Sequence, residues 1–377
     1  MPKEGKKSLL LGAIATLTGT AIGAGFLGIP YVISKSGFLI GLIHLIILSL
    51  VIVLVNLYFG EVILRTKQVH QLPGYAQKYL GPWARILMIL SMIFGIYAAL
   101  IAYFMGEGQV LSFIFTGSQN YAFIFSSIFF IVIAFLVYFG LEALKKGETI
   151  GLIIVSAIVL AIVILLMPKI NLSNFTYTSN NPIEWFLPYG IILFSFLSFS
   201  ALPEVKREIK GNEKLMKKAI IIGVLIPLIA YILFTIAVVG FAGKATPEIA
   251  TITLGKIPSL LAVFTMFTAC FALCNAIQDM YEIDMKMKRM SAWFLACILP
   301  FILFLIIFFF KLATFTQILE ITGSVVGGLT GILIILMLIQ AKKHGDRKPE
   351  YKMPITWLIE ILIILLFAFG IIYQFIF

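Results

Sequence analysis

Charge is what this sequence has least of: Asp, Glu, Lys and Arg together make up 12% of its 377 residues, 17 of them acidic and 28 basic. That is about half the share found in a soluble domain. Histidine and cysteine are scarcer still, at three residues each. Cys270 and Cys274 lie four apart on one predicted helix, where the geometry does not suit a disulfide, and Cys297 falls on the next apolar run. No metal-ligand spacing occurs, so a disulfide scaffold and a metal centre are both excluded as organising features. Acidic clustering is limited to Asp279, Glu282 and Asp284. An enzyme that held a diphosphate through Mg²⁺ would need a second acidic cluster facing the first, and none exists. Capping and pairing with Lys286, Lys288 and Arg289 account for the cluster, so neither catalytic residues nor an enzyme is expected.

Long apolar runs are what is abundant. Hydrophobic residues reach 61% and the mean hydropathy is +1.09, values that make the chain an integral membrane protein. Runs near the ~20 residues needed to cross a bilayer cover 8–33, 37–64, 84–115, 121–140, 148–167, 183–204, 217–241, 256–281, 291–310, 312–340 and 354–377. That predicts an all-α protein with eleven transmembrane helices. A cytoplasmic N-terminus places 23 of the 28 Lys and Arg inside, leaving Lys35, Lys169, Lys244, Lys256 and Lys311 outside and Phe377 at the outer face. The net charge of +11 is therefore topology in a multi-pass plasma-membrane protein whose partner is the lipid bilayer, not a nucleic-acid footprint. Lys3, Lys6 and Lys7 before an apolar run imitate a signal peptide, but the run is too long for one and is read as a retained first span.

Inside that first span, Thr18 to Pro30 holds four glycines and a proline. Each Gly costs a helix roughly 1 kcal/mol and Pro about 3, and unwound backbone survives at membrane depth only where it lines a protein-enclosed cavity. The span is predicted to break over Thr20, Ala21, Ile22, Gly23, Ala24 and Gly25. Free N–H groups at the start of the resumed half favour a carboxylate, and the carbonyls ending the first half suit an ammonium group or a small cation. A zwitterion with adjacent carboxylate and amine fits both. Carriers built from inverted repeats interrupt the corresponding helix of each half, and the sixth span supplies the counterpart from Ser195 to Glu204, closed by Pro203.

Ionisable groups inside spans are functional candidates by default. Glu107 lies between Gly106 and Gly108 in the third span, costly unless protonated, paired or in an aqueous vestibule, which is what a proton-coupling site requires. Glu61 stands at the inner end of the second span, four residues before Arg65, and is read as a coupling group or a paired one; Glu320 in the tenth span is an outer-gate candidate. Residues 72–81 are expected to form a short amphipathic helix, the ninth and tenth spans to turn back near Lys311, and Gly323, Gly327 and Gly328 to form a helix-contact face.

The run Gly19 to Pro30, then Glu61, Tyr79-Leu80-Gly81, Ala102-Tyr103 and Gly106-Glu107-Gly108 resembles the amino acid/auxin permease family, in particular its prokaryotic branch near the tryptophan/tyrosine permeases. Phe194-Ser195-Phe196 through Pro203-Glu204, Lys217-Lys218-Ala219 and Thr268 to Asp279 resemble it too. The resemblance covers the first eight spans. It implies membership of the amino acid–polyamine–organocation superfamily and the leucine-transporter fold. That fold would place one five-helix repeat in 1–167, its inverted partner in 168–340 and an extra span in 341–377. By the same resemblance, backbone from Ala21 to Gly25 would hold the substrate's carboxylate and amine. Phe194, Ser195, Phe196, Ser198 and Phe199 would face it, and Tyr97, Tyr103, Phe267 and Phe271 would be wall candidates.

Proton-coupled relatives are similar in carrying a lysine within the fifth span, but here Lys145 and Lys146 precede it; sodium-coupled relatives show two adjacent hydroxyl residues in the eighth span, where this chain has Thr268 followed by Ala269. Gly19, Ile22 and Thr268 would be the remaining sodium ligands. The resulting expectation is a secondary active transporter without cofactor that carries a neutral or aromatic amino acid, coupled to a proton. A sodium-coupled symporter and an exchanger or facilitator are the alternatives.

Overall fold

The computed structural model describes residues 5–139 and 148–376. Expectations that fall on Lys3, on Lys145 and Lys146 and on Phe377 lie outside the described residues. The chain is helical, in the order α1 Lys6–Ala21, α2 Ile29–Ser36, α3 Phe38–Leu64, α4 Leu72–Leu80, α5 Pro82–Thr116, α6 Ala122–Phe139, α7 Glu148–Leu166 and α8 Leu187–Phe196. There follow α9 Leu202–Glu208, α10 Met216–Ala242, α11 Lys256–Asp279, α12 Arg289–Trp293, α13 Leu299–Phe310, α14 Phe315–Thr322, α15 Gly328–His344 and α16 Leu358–Ile376. Among the described residues nine helical stretches are long and apolar enough to cross a membrane, ten if the bent pair α1 and α2 is one span. The predicted fifth span coincides with α7, whose second half runs on through a turn over Met167–Lys169 as a shorter apolar helix, Ala157–Lys169.

Packing divides the helices into two groups. α1, α2, α3, α8 and α10, from the first, second, sixth and seventh spans, pack on one another, and α5, α6, α11 and α13 pack around the third span. α14 touches both α5 and α8. The small residues of the tenth span form the contact face expected of them, inside a π-helical turn over Gly323–Gly327. A Cβ at Gly323 would run into the Gly190 carbonyl of α8, and one at Gly327 would lie 3.1 Å from Leu193. Absent side chains thus let the sixth span approach the tenth closely.

Turns fall where the residues demand them. Gly37, with φ +116°, joins α2 to α3 against Thr178, and a Cβ there would lie 2.9 Å from the Thr178 Cα. That conformation and that space are open to glycine alone. Lys311 ends α13 in the left-handed region at φ +52°, reversing the chain as expected. α4 ends at Gly81 as expected, with Tyr75 and Ala76 buried. α16 is peripheral and exposes Leu358, Leu362, Leu365 and Ile372 toward the bilayer, yet its buried Glu360 accepts a 2.7 Å hydrogen bond from the Tyr58 hydroxyl of α3.

Candidate functional site

Helix α1 gives out where the glycines begin. Ile22 leaves the helical region at φ −79°, ψ 71°, a single turn forms over Gly25–Leu27, and α2 resumes with Pro30 in its first turn. Proline is harmless there because its missing N–H would have had no helical partner. The two halves are bent by 53°. Unwinding is narrower than expected: Thr20 and Ala21 remain in α1, and the exposed Thr20 hydroxyl donates to the Thr16 carbonyl at 2.8 Å.

The sixth span repeats the pattern. α8 ends at Phe196, Leu197 turns extended at φ −63°, ψ 109°, Ser198 sits at φ −134°, ψ 12°, and a turn over Phe199–Ala201 leads into α9 with Pro203 in its first turn. The first break meets the last turn of α8, just ahead of the second. A Cβ placed on Gly25 would lie 2.5 Å from the Ser195 hydroxyl oxygen and 2.7 Å from the Phe194 ring, so glycine is what lets the spans approach. At Gly23 a Cβ would lie 3.3 Å from the Tyr103 hydroxyl of α5. Ala21 to Gly25, Phe194, Ser195 and Tyr103 are therefore brought together. Phe196 and Phe199 are buried beside them, Phe196 against the Tyr231 ring at 5.1 Å.

Two other predicted wall residues, Tyr97 and Phe267, make their contacts elsewhere. The Tyr97 hydroxyl pairs with that of Tyr281 at 2.7 Å and donates to the Leu295 carbonyl at 2.8 Å, about 9 Å along α5 from Tyr103 by helix rise. Phe267 turns to Phe129 of α6 at 6.2 Å, and Phe271 is buried with its carbonyl accepting from Asn275. Met266 is the α11 residue that meets α5 at Gly106, where a Cβ would lie 2.8 Å from its sulfur. Two residues were not anticipated: Tyr231 of α10, which bonds both breaks, and Asn56 of α3, whose Nδ2 donates to the Ser198 hydroxyl at 3.1 Å.

The carboxyl groups separate by their partners. Glu61 is fully buried and held by Arg65 at 2.8 Å, by Lys342 at 3.3 Å and by the backbone N–H of Met353. That is a structural pairing at one end of α3, where the Lys206 ammonium of α9 also donates to the Ile63 and Thr66 carbonyls at 2.9 and 2.7 Å. Glu107 is 1% exposed, and its Oε2 has no partner among the described residues. It follows Tyr103 by four positions, one turn farther along nearly the same face of α5. Glu320 lies near Glu248 and Tyr31 at the opposite end of the molecule from Glu61. On that side a cavity of about 480 Å³ is lined by Met105, Gln109, Glu248, Lys311 and Thr314.

For a cation, the geometry offers less. The Thr268 hydroxyl donates to the Phe264 and Thr265 carbonyls of its own helix at 3.0 and 3.2 Å. Gly19 and Thr20 on α1, Ser200 and Glu204 by the second break, and Thr268, Ala272, Ala276 and Asp279 on α11 are all exposed.

The chain matches the model of the tryptophan/tyrosine permease family over residues 6–254. It is similar to tyrosine-specific transport system 2 of Haemophilus influenzae, 30% identical over 249 residues, which cover 63% of this chain and 60% of the relative. Glutamine transporter 2 of Aliivibrio fischeri is 26% identical over 242 residues, 61% of each chain. Tyrosine-specific transport system 1 of Haemophilus influenzae is 27% identical over 238 residues, 61% of this chain and 57% of the relative. The chain thus spans about three fifths of the length of the curated relatives it matches. A crystal structure of MhsT in complex with L-phenylalanine superposes with a TM-score of 0.70 over 97% of both chains at 14% identity. That likeness is one of fold, and the fold is the leucine-transporter fold that the resemblance implied.

Proposed function

This chain belongs to the tryptophan/tyrosine permease family, and from that premise we propose that it is a secondary active transporter carrying a neutral or aromatic amino acid together with a proton. The wider classes we assign it to are the amino acid/auxin permeases and the amino acid–polyamine–organocation superfamily. One observation carries the reading: the break of the first span meets the last turn of α8, just ahead of the break of the sixth, at Gly25 and the Ser195 side chain, with Tyr103 beside Gly23. Broken helix ends offer N–H groups to a carboxylate and carbonyls to an ammonium, the two groups every amino acid shares. The relatives named for tyrosine and glutamine transport, and the phenylalanine held by the neighbour in fold, support that substrate class.

Transport follows from alternating access. The group containing α1, α2, α3, α8 and α10 rocks against α5, α6, α11 and α13, with the breaks as joints that let a half-helix swing while keeping its remaining hydrogen bonds. The repeats are assigned to 1–167 and 168–340, with 341–377 as the added span. We place the N-terminus in the cytoplasm on the lysine and arginine distribution. The exposed polar residues of α1, α9 and α11 then line a path from the cytoplasm to the breaks, since such groups face water more cheaply than lipid. Glu107 carries the proton: buried and without a partner for one oxygen, it holds a charge only while water or a cation reaches it. Glu61, ion-paired on two sides, is left out of coupling.

Uptake into proteoliposomes tests this. An inward proton gradient without sodium is expected to accumulate labelled tyrosine, phenylalanine or another neutral amino acid above the level set by equal concentrations. Accumulation that needs sodium instead would move coupling to Thr268 and the carbonyls of Gly19 and Ile22. Equilibration without accumulation under both gradients would make the chain an exchanger or facilitator.

A further inference from the structure

We propose that Tyr231 is the positioning residue that holds the two broken spans at one fixed separation, a proposal that rests on the amino acid transporter reading above. In an unbroken helix the Ala21 carbonyl would accept from residue 25 and the Ser195 carbonyl from residue 199. The breaks remove both donors; a tight turn returns only the Gly23 N–H to the Ala21 carbonyl, at 2.8 Å, and both carbonyls stand at the negative ends of two helix dipoles in one buried region. Two such ends repel each other unless a donor stands between them.

Tyr231 is that donor. Its hydroxyl, on α10, donates to the Ala21 carbonyl at 2.8 Å and to the Ser195 carbonyl at 2.9 Å. A phenol has a single hydrogen, so the two carbonyls share it in a three-centre bond, and neither can move off without loosening the other. The ring repeats what the hydroxyl does. It lies parallel to Phe26, in the resumed part of the first span, at 5.9 Å, and is tilted against Phe196, the last residue of α8, at 5.1 Å. Tyr231 is 1% exposed, and its helix is fixed to α1 by the Thr18 hydroxyl, which donates to the Gly223 carbonyl at 3.3 Å.

A residue of the seventh span therefore ties the first to the sixth without occupying the contact at Gly25 and Ser195. Losing the hydroxyl leaves the Ser195 carbonyl without that donor and the Ala21 carbonyl with the Gly23 N–H alone, the two still opposed, and the breaks relax apart. Because the substrate's carboxylate and amine are held by the breaks, the loss falls on every amino acid alike, whatever its side chain.

Tyr231→Phe removes only the oxygen, and Phe26→Leu removes the stacked ring while keeping the hydroxyl bonds. Both are reconstituted as the full chain and assayed for uptake of tyrosine, phenylalanine and a small neutral amino acid, beside a melting curve. Tyr231→Phe is expected to raise KM about tenfold or more by similar factors for all three substrates, with Vmax changed less than about threefold and the melting temperature kept. Phe26→Leu is expected to raise KM by a clearly smaller factor. An unchanged KM in Tyr231→Phe, an effect confined to Vmax or to one substrate, or equal losses in the two variants would overturn the proposal. So would unfolding of Tyr231→Phe, alone or together with Phe26→Leu, which would make the tyrosine a structural residue. Absence of uptake by the unsubstituted chain would bring down the transporter reading and this proposal with it.

Discussion

Gly25→Leu is expected to reduce uptake about a hundredfold or more while the protein still reaches the membrane, because even the first carbon of the new side chain lands on the last turn of α8, where the second break begins. A Cβ at residue 25 would lie 2.5 Å from the Ser195 hydroxyl oxygen, and that hydroxyl is tied back to the Ile191 carbonyl at 2.8 Å inside α8. Phe194, 2.7 Å from the same Cβ, is flanked by α14 through Gly190 and Gly323, which leaves α8 little room to retreat. The backbone must give instead, and the N–H groups that open the resumed half of the first span move out of line with their ligand. Gly25→Ala tests the same point with less volume and should fall between. Gly23→Leu should follow it, since Tyr103 closes that side at 3.3 Å. Labelled uptake normalised to membrane expression measures the effect, and parent-level transport by Gly25→Leu would remove the site from the breaks.

Glu107→Gln is expected to abolish proton-driven accumulation and to spare exchange of one amino acid for another. Glutamine keeps the shape and hydrogen-bonding reach of the acid but cannot gain or lose a proton. At 1% exposure, with one carboxyl oxygen unpartnered, Glu107 has no ion pair among the described residues such as those that fix Glu61 through Arg65 and Lys342. Replacement therefore removes titration and little else. The check compares net accumulation under a proton gradient with counterflow at equal pH. Full accumulation by the variant would exclude Glu107 as the coupling group and turn attention to Glu320 beside Glu248.

The features legible in the residues are those paid for in backbone conformation. Four glycines and Pro30 in the first span, and Pro203 in the sixth, mark breaks because a helix interior penalises them, and each proline then falls in the first turn of the resumed helix, where it costs little. The turn at Lys311 was legible because a single helix across the ninth and tenth spans would be too long for the bilayer. Which aromatic faces which neighbour was not: among 34 phenylalanines, hydropathy alone does not separate packing from lining. Phe267 and Tyr97 are on helices that reach the site but turn away from it. Partners distant in the chain were equally hidden. Arg65 could be matched to Glu61 by its spacing, but Lys342 and the Met353 N–H come from near the far end of the sequence. Tyr231 stayed hidden for the same reason, as nothing local relates it to Ala21 or Ser195.

Competition binding to the purified chain tests most directly whether the two breaks grip an amino acid by its shared groups. A transported amino acid, labelled, is displaced by itself, by the amine that lacks its carboxylate and by the acid that lacks its amine. If the breaks hold both groups, each truncated analogue binds about a hundredfold or more weakly than the amino acid, since each leaves buried donors or acceptors unpaired. Displacement by either analogue at the concentration that suffices for the amino acid would contradict the assignment.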